Sequence, residues 1–317
     1  MRMKSRMFDE RRPLVTIVTP VYNGARYLAQ AIESILAQTY PNIEYIVIND
    51  GSTDDTLEVA RRYGDRLTIV DQANAGQAAT LNRGWEMAEG KLLTYLSSDD
   101  ILYSNCVETL VEVLEAEPRT VCAFPNSDLI SPTSQILKAG VSFAFDREAL
   151  IIEQECGIGP GAIFRAADFR RIGGWRTDYI LSIDREFWIR LSKLGDIRFI
   201  DQSLAGYRLH PKSISYSVVA EEISLEYVRS LDEIFSSPDV EPELLARRDE
   251  AYARAYYLVA RNCIRGGRVA KGLEYLAKAR RLWPAITTPQ RMINLVKNVI
   301  SKPLRMVHSR MISRRAV

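Results

Sequence analysis

Lys91-Leu92-Leu93-Thr94-Tyr95-Leu96-Ser97-Ser98-Asp99-Asp100 is a short apolar run that stops on two carboxylates. With Gly90 before it and Ser97-Ser98 after, Leu92 to Leu96 reads as a buried strand whose carboxyl end delivers Asp99 and Asp100 to a crevice. In an open α/β sheet, ligands sit at that edge. Adjacent carboxylates repel, and one pKa rises unless a cation or hydrogen-bond donors hold both ionised. A hard divalent ion bridging to phosphates would do so, because it needs one or two protein carboxylates and takes its other oxygens from substrate and water. The competing reading makes Asp99 the cap of a helix over 105–114 and leaves Asp100 solvated.

Upstream, Val15-Thr16-Ile17-Val18-Thr19-Pro20 is a β-branched run stopped by proline, and Tyr22-Asn23-Gly24 forms a turn. Leu28, Ile32, Ile35 and Leu36 follow at helical spacing until Pro41. A second continuous apolar run, 43–48, ends in Asn49-Asp50-Gly51-Ser52, so the segment is a βαβ unit with a right-handed crossover. A helix over 54–63 and a strand over 67–70 come next. Asp50 thus stands at a strand end, as Asp99 does, and is either a ligand-facing acid or a turn residue. Asp54 reads as a helix cap.

Asn74-Ala75-Gly76-Gln77 opens a helix with Leu81, Trp85 and Ala88 on one face, ended by Gly90 as its terminal glycine. Gly76 lets backbone approach a ligand, and the helix start favours an anion. The first strand is followed by no Gly-x-Gly-x-x-Gly and the chain has no Walker sequence, which removes the main support for dinucleotide oxidoreductase and P-loop readings.

Val15 to Asn23, Ile46 to Asp54, Asn74-Ala75-Gly76, Asn82-Arg83-Gly84 and Ser98-Asp99-Asp100 together resemble family 2 glycosyltransferases, and the similarity runs to about Ser215. The resemblance implies a GT-A fold: an α/β mixed sheet flanked by helices. It further implies a nucleotide-sugar site in which Pro20 and Tyr22 line the base pocket, Asp50 hydrogen-bonds the base, and Asp99 holds the ribose or a sugar hydroxyl. Gly76 and Asn82 would contact the same donor, and Asp100 would hold Mg2+ or Mn2+ on the diphosphate. Gln77 and Leu81 stand where many members carry a basic residue.

Gly157-Ile158-Gly159-Pro160-Gly161 and Ile172-Gly173-Gly174-Trp175 have counterparts on the acceptor side of such clefts. Trp175 is either a flat surface for a sugar ring or a packed core indole. In Ser182-Ile183-Asp184-Arg185-Glu186, Asp184 aligns with the general base of inverting members, whose usual Glu-Asp pair is here Ile183-Asp184. Glu186 and Arg190 read as a helix-surface ion pair. A strand over 197–200 reads as an edge. Tyr207 to Ser215 resembles the loop closing over the diphosphate, with Arg208 and His210 as phosphate contacts and His210 also as a metal ligand.

Beyond Tyr216 the pattern is helical. Ile223, Tyr227, Leu231 and Ile234 form one stripe, and helices over 244–263 and 269–282 meet at Gly266-Gly267 with tetratricopeptide-like spacing. One such hairpin cannot bury its own apolar face, so it docks on the catalytic domain or on a second subunit. The domain plan is a tail over 1–12, a catalytic domain over 13–218, a helical region over 219–287 and a basic amphipathic tail over 288–317. That last segment carries Arg291, Lys297, Lys302, Arg305, Arg310, Arg314 and Arg315 and no acid. It reads as a contact for an anionic membrane surface or as a solvated tail.

The 317 residues, 47% hydrophobic and 26% charged, describe a globular chain with length for a real core. A net charge of +2 gives no nucleic-acid signal. Four scattered cysteines suggest neither a zinc knuckle nor a disulfide framework. No apolar h-region follows Arg2, Lys4 and Arg6, and no run approaches the roughly 18–20 apolar residues of a membrane span. The expectation is a cytoplasmic, peripherally membrane-associated enzyme transferring a sugar to a saccharide or lipid-linked acceptor in surface polysaccharide or glycolipid synthesis. The alternatives are a polyprenyl-phosphate sugar synthase and a non-catalytic nucleotide-sugar-binding module.

Overall fold

The computed structural model describes residues 12–210, 213 and 219–293. The chain divides into two compact units. To the first belong the residues up to Phe145, 156–178 and 183–209; to the second, 146–155, 179–182 and those from His210 onward.

The strands in chain order are β1 (Val15–Val21), β2 (Ile43–Asp50), β3 (Thr68–Gln72), β4 (Leu92–Tyr95), β5 (Ile101–Leu102), β6 (Thr120–Ile130), β7 (Ile136–Lys138), β8 (Ile163–Arg165) and β9 (Asp196–Arg208). They form one mixed sheet in the order β3-β2-β1-β4-β8-β6-β9-β5, with β7 on β6. The four strands from β3 to β4 are parallel, β8 is antiparallel to both its neighbours, and β6 runs parallel to β9.

Helices α1 (Ala25–Leu36), α2 (Thr56–Arg61), α3 (Gln77–Met87) and α4 (Cys106–Ala116) cover this sheet, and α6 (Ala166–Ile172) and α7 (Ile183–Leu191) lie between β8 and β9 in the chain. Leu28, Ile32 and Ile35 of α1 and Leu110 of α4 pack in one core with Val15, Ile17 and Val47, all almost fully buried. Each such side chain contributes about 1.5–3 kcal/mol relative to exposure, which is why the continuous apolar strands settle at the centre.

Three details differ from the sequence reading. Gly90 does not terminate α3, whose cap is Ala88 in an extended conformation. Its role is close approach, because a Cβ there would lie 2.5 Å from Thr16 Oγ1. The sequence reads 121–124 as an apolar strand followed by Pro125, whereas the structure continues it as β6 through Pro125 to Ile130, with register shifts on either side of Asn126. The strand expected over 197–200 is the thirteen-residue β9, which lies between β6 and β5 and is not an edge.

In the second unit, α5 (Arg147–Ile152), α8 (Glu221–Ser224), α9 (Glu226–Phe235), α10 (Pro242–Ala246), α11 (Arg248–Arg265) and α12 (Val269–Leu282) are all helical. α11 and α12 pack as the expected hairpin around Ala260 and Leu276. Residues 179–182 join this unit because the Glu226 carboxylate accepts the N–H groups of Ile180, Leu181 and Ser182 at 2.8, 2.7 and 3.1 Å. Most of the basic tail, from residue 294, lies outside the described residues. Among the described residues no helix is long and apolar enough to cross a membrane.

Candidate active site

β1 runs three residues past the end of its pairing with β4 at Val18, so Pro20 sits where the sheet opens, paired only with Ile48 of β2. The turn that follows is tied to the end of β2. Asn23, in the left-handed region at φ 51°, accepts the Thr53 N–H on Oδ1 at 2.8 Å and donates its own N–H to Ser52 Oγ at 2.9 Å. Between these ties Tyr22 is 55% exposed, the most exposed aromatic ring at this edge. Asp54 was expected to cap a helix, but Asp55 is the cap of α2; Asp54, one residue earlier, accepts from the Thr56 and Ala25 N–H groups.

Asp50, at the end of β2, is buried and fully engaged. One oxygen accepts from Gln72 Nε2 at 2.7 Å and the Ala75 N–H at 2.8 Å, the other from the Gly76 N–H at 3.0 Å. Burial would raise its pKa, but these bonds, with Thr80 contributing, outweigh it and hold the carboxyl below the usual range. The anion at the start of α3 is therefore Asp50's own carboxylate, and Gly76, at φ 85°, provides the turn that brings it there.

Asp99 and Asp100 follow β4. Asn105 caps α4 without a side-chain bond, so Asp99 is not that helix's cap. Asp100 is 4% exposed, and its Oδ1 accepts the backbone N–H of Arg208 at 2.8 Å. Burial first, then Asp99, pushes the Asp100 carboxyl well above its ordinary range against the pull of Arg208. Among the described residues no cluster of three ligating side chains exists. A buried carboxylate with a second acid beside it fits a hard dication that draws its other ligands from a diphosphate and water.

Arg208, expected in a loop on phosphate, ends β9 and is fully buried. Nε donates to the Asp99 carbonyl at 2.6 Å, Nη1 to the Ser131 carbonyl and Ser134 Oγ at 3.0 and 2.9 Å, and Nη2 to Gln30 Oε1 at 2.8 Å. Every guanidinium nitrogen thus faces protein, and its place is under the two acids. His210 belongs to the second unit, where its N–H donates to Ser213 Oγ at 3.3 Å.

Trp175 is a packed indole. It is 4% exposed, edge-on to Tyr95 at 5.1 Å and to Trp85 at 5.8 Å, and offers no face to a sugar. Its backbone is gripped reciprocally by Asn82: Nδ2 donates to the Trp175 carbonyl at 2.7 Å, and Oδ1 accepts the Trp175 N–H at 2.8 Å. Asn82, expected on the donor, fixes this loop with the whole of its amide. Arg190 grips the same loop through the carbonyls of Ile172, Gly173 and Gly174 while pairing with Glu186. Glu186 is 9% exposed, so that pair is an interior brace and not a surface ion pair. Gly161, expected on the acceptor side, is buried at φ 91°, where a Cβ would lie 3.1 Å from Leu102 and 3.2 Å from Cys106 Sγ.

Asp184 opens α7 (Ile183–Leu191), half-buried, with Oδ1 accepting the Arg185 N–H at 2.8 Å. Burial raises its pKa, opposed by Arg185. Tyr95, at the end of β4, was not singled out by the sequence. Its phenol is raised by burial first and then by the nearby charge of Asp184, with Asp100 also within reach. Tyr95 is thus a buried ring on which the charges of both the base candidate and the metal candidate act. A cavity of about 850 Å3 lies elsewhere: Leu14, Leu92, Leu114, Arg165 and Arg170 line it at the amino ends of β1 and β4.

Comparison with known proteins matches residues 16–173 to the family model "Glycosyl transferase family 2". The glycosyltransferase GlyG of Streptococcus pneumoniae is 30% identical over 244 residues, 70% of this chain and 78% of that protein. An uncharacterized glycosyltransferase of Rickettsia prowazekii is 33% identical over 205 residues, 62% of this chain. The chain spans 64% of that relative's length and less of several longer Rickettsia relatives. In structure, the mannosyltransferase PcManGT from Pyrobaculum calidifontis, in complex with GDP-Man and Mn2+, superposes with a TM-score of 0.59 at 18% identity, covering 94% of this chain and 89% of that one. This is the GT-A architecture.

Proposed function

The chain belongs to glycosyltransferase family 2, and from that membership we propose that it is an inverting enzyme moving a sugar from a nucleotide-diphosphate donor to an acceptor hydroxyl. The observation that supports the reading is that the charges of Asp184, on α7, and Asp100, after β4, both act on the buried Tyr95 phenol. Exposed Tyr22 supports the donor end, since an aromatic face accepts any base by stacking.

Asp184 takes the acceptor's hydroxyl proton as that oxygen bonds the anomeric carbon. On the opposite face the bond from the anomeric carbon to the phosphate oxygen breaks, and the nucleoside diphosphate departs with the electron pair. One in-line displacement inverts the configuration. A half-buried carboxyl with a raised pKa suits this task, because a base works best with its pKa near the operating pH. Asp100, with Asp99, would hold Mg2+ or Mn2+, which neutralises charge on the departing diphosphate.

Asp184→Asn is the test, with transfer measured by product formation and donor binding by calorimetry. Loss of transfer with donor affinity kept supports the assignment. Undiminished transfer removes Asp184 from the reaction.

A further inference from the structure

The helical unit carries a charge imbalance that the transferase reading leaves unused. At the start of α11 two cations are neutralised: Arg247, its cap, pairs with Glu148, Glu153 and Glu250, and Arg254 with Glu250 and Glu153. Further along the same helix, Arg261 and Arg265 stand four residues apart on one face, and no carboxylate pairs with either among the described residues. The groups acting on Arg261 are the phenols of Tyr227 and Tyr257 and the like charge of Arg265. Burial first, and then Arg265, depress its guanidinium below the ordinary value.

Both side chains are half-buried, and each Nε–H is shielded from water without an acceptor. Arg268 Nε is orphaned in the same way, while its Nη2 donates to the Val219 carbonyl at 2.6 Å. Cations at a helix C-terminus ordinarily serve the last carbonyls. Here the carbonyls of Asn262, Cys263 and Ile264 already accept the N–H groups of Gly266, Gly267 and Arg268. Like charges at this spacing destabilise a helix, and shielded donors without partners add to the cost.

We propose that Arg261 and Arg265 form a binding site for a phosphate group, carried either on a lipid headgroup or on a soluble phosphate. Two adjacent guanidiniums match the charge of a phosphate dianion better than that of a carboxylate, and their planar forks pair with its oxygens bidentately. The phenols of Tyr227 and Tyr257 act on Arg261, and among the described residues no carboxylate is seen to act on it.

The full chain is tested by thermal unfolding in inorganic phosphate against chloride of equal ionic strength. Phosphate near saturation raises the midpoint by about 2–4 °C, and the double variant Arg261→Gln, Arg265→Gln loses that rise. Arg265→Gln alone relieves the repulsion, so its midpoint in chloride equals or exceeds that of the unmodified chain, and most of its phosphate response is gone. Cosedimentation with phosphatidic acid in phosphatidylcholine vesicles, against phosphatidylcholine alone, separates the sources. Binding weakened about tenfold or more in the double variant assigns the lipid headgroup; equal binding assigns the soluble phosphate. No phosphate-specific rise, or an equal rise in the variants, overturns the site.

Discussion

Arg208 meets the loop after β4 twice: its backbone N–H donates to Asp100 Oδ1 at 2.8 Å and its Nε to the backbone carbonyl of Asp99 at 2.6 Å. The guanidinium stacks 4.9 Å from the Tyr27 ring and reaches Gln30 and Ser134, so the end of β9, the loop after β4 and helix α1 share a single cation. Arg208→Lys keeps the charge but cannot span these acceptors. It is expected to cost on the order of 3 kcal/mol in urea unfolding and to lower transfer in parallel with stability. An unchanged midpoint would mean that the guanidinium fork does not brace the loop after β4.

Asn82 and Trp175, 93 residues apart in sequence, are joined by two hydrogen bonds that use the whole amide. Asn82→Asp removes one donor and sets a carboxylate against the Trp175 carbonyl, and a loss of about 1–3 kcal/mol is expected. Gly174→Ala tests the same contact from the other side, since its Cβ would fall 2.2 Å from Asn82 Oδ1. The two variants combined should lose less than the sum of their separate losses, as residues in contact do. Additive losses in the double-mutant cycle would place the two effects elsewhere.

Strands β1, β2 and β4 were legible because they are largely buried on both faces and read as continuous apolar runs closed by turn residues. For the same reason Asp50, Asp99 and Asp100 could be placed at strand ends. β9 was not legible at its full length: most of its first half is partly or fully exposed, which breaks the apolar run. The passage of β6 through Pro125 depends on register shifts against β9 that residue type does not reveal. At the candidate site, what sequence missed was partnership. A buried arginine, an asparagine bonded across 93 residues and an indole packed among rings all carry residue types that also suit ligand contacts, and only folding determines which face they turn.

Asp100 supplies a test of the metal. Its carboxyl is raised by burial and by Asp99, so ionising it is costly until a cation arrives. Mn2+ with a nucleoside diphosphate should raise the unfolding midpoint by more than the sum of either alone, because each completes the other's ligand shell. EDTA should abolish the excess, and Asp100→Asn should never show it. A diphosphate shift indifferent to EDTA and to Asp100→Asn would argue that no metal is held there.

Asp184 should show opposite effects in activity and stability. The base must be ionised to act, and burial raises its pKa, so the ascending limb of kcat/KM against pH should lie above the ordinary aspartate value. The folded state favours the protonated form. The stability this gives is therefore complete below the unfolded-state pKa and is lost as pH rises through the raised folded value. At about pH 7 the ionised carboxylate is then a burden on folding, and Asp184→Asn should unfold at a higher temperature than the unmodified chain while transferring no sugar. That advantage should shrink as the pH is lowered toward the unfolded-state value, where the native carboxyl is also neutral. Measuring both unfolding midpoints across that range decides the matter: an asparagine variant less stable at every pH would show that the charge is welcomed in the fold, and the raised pKa assigned to the base would be wrong.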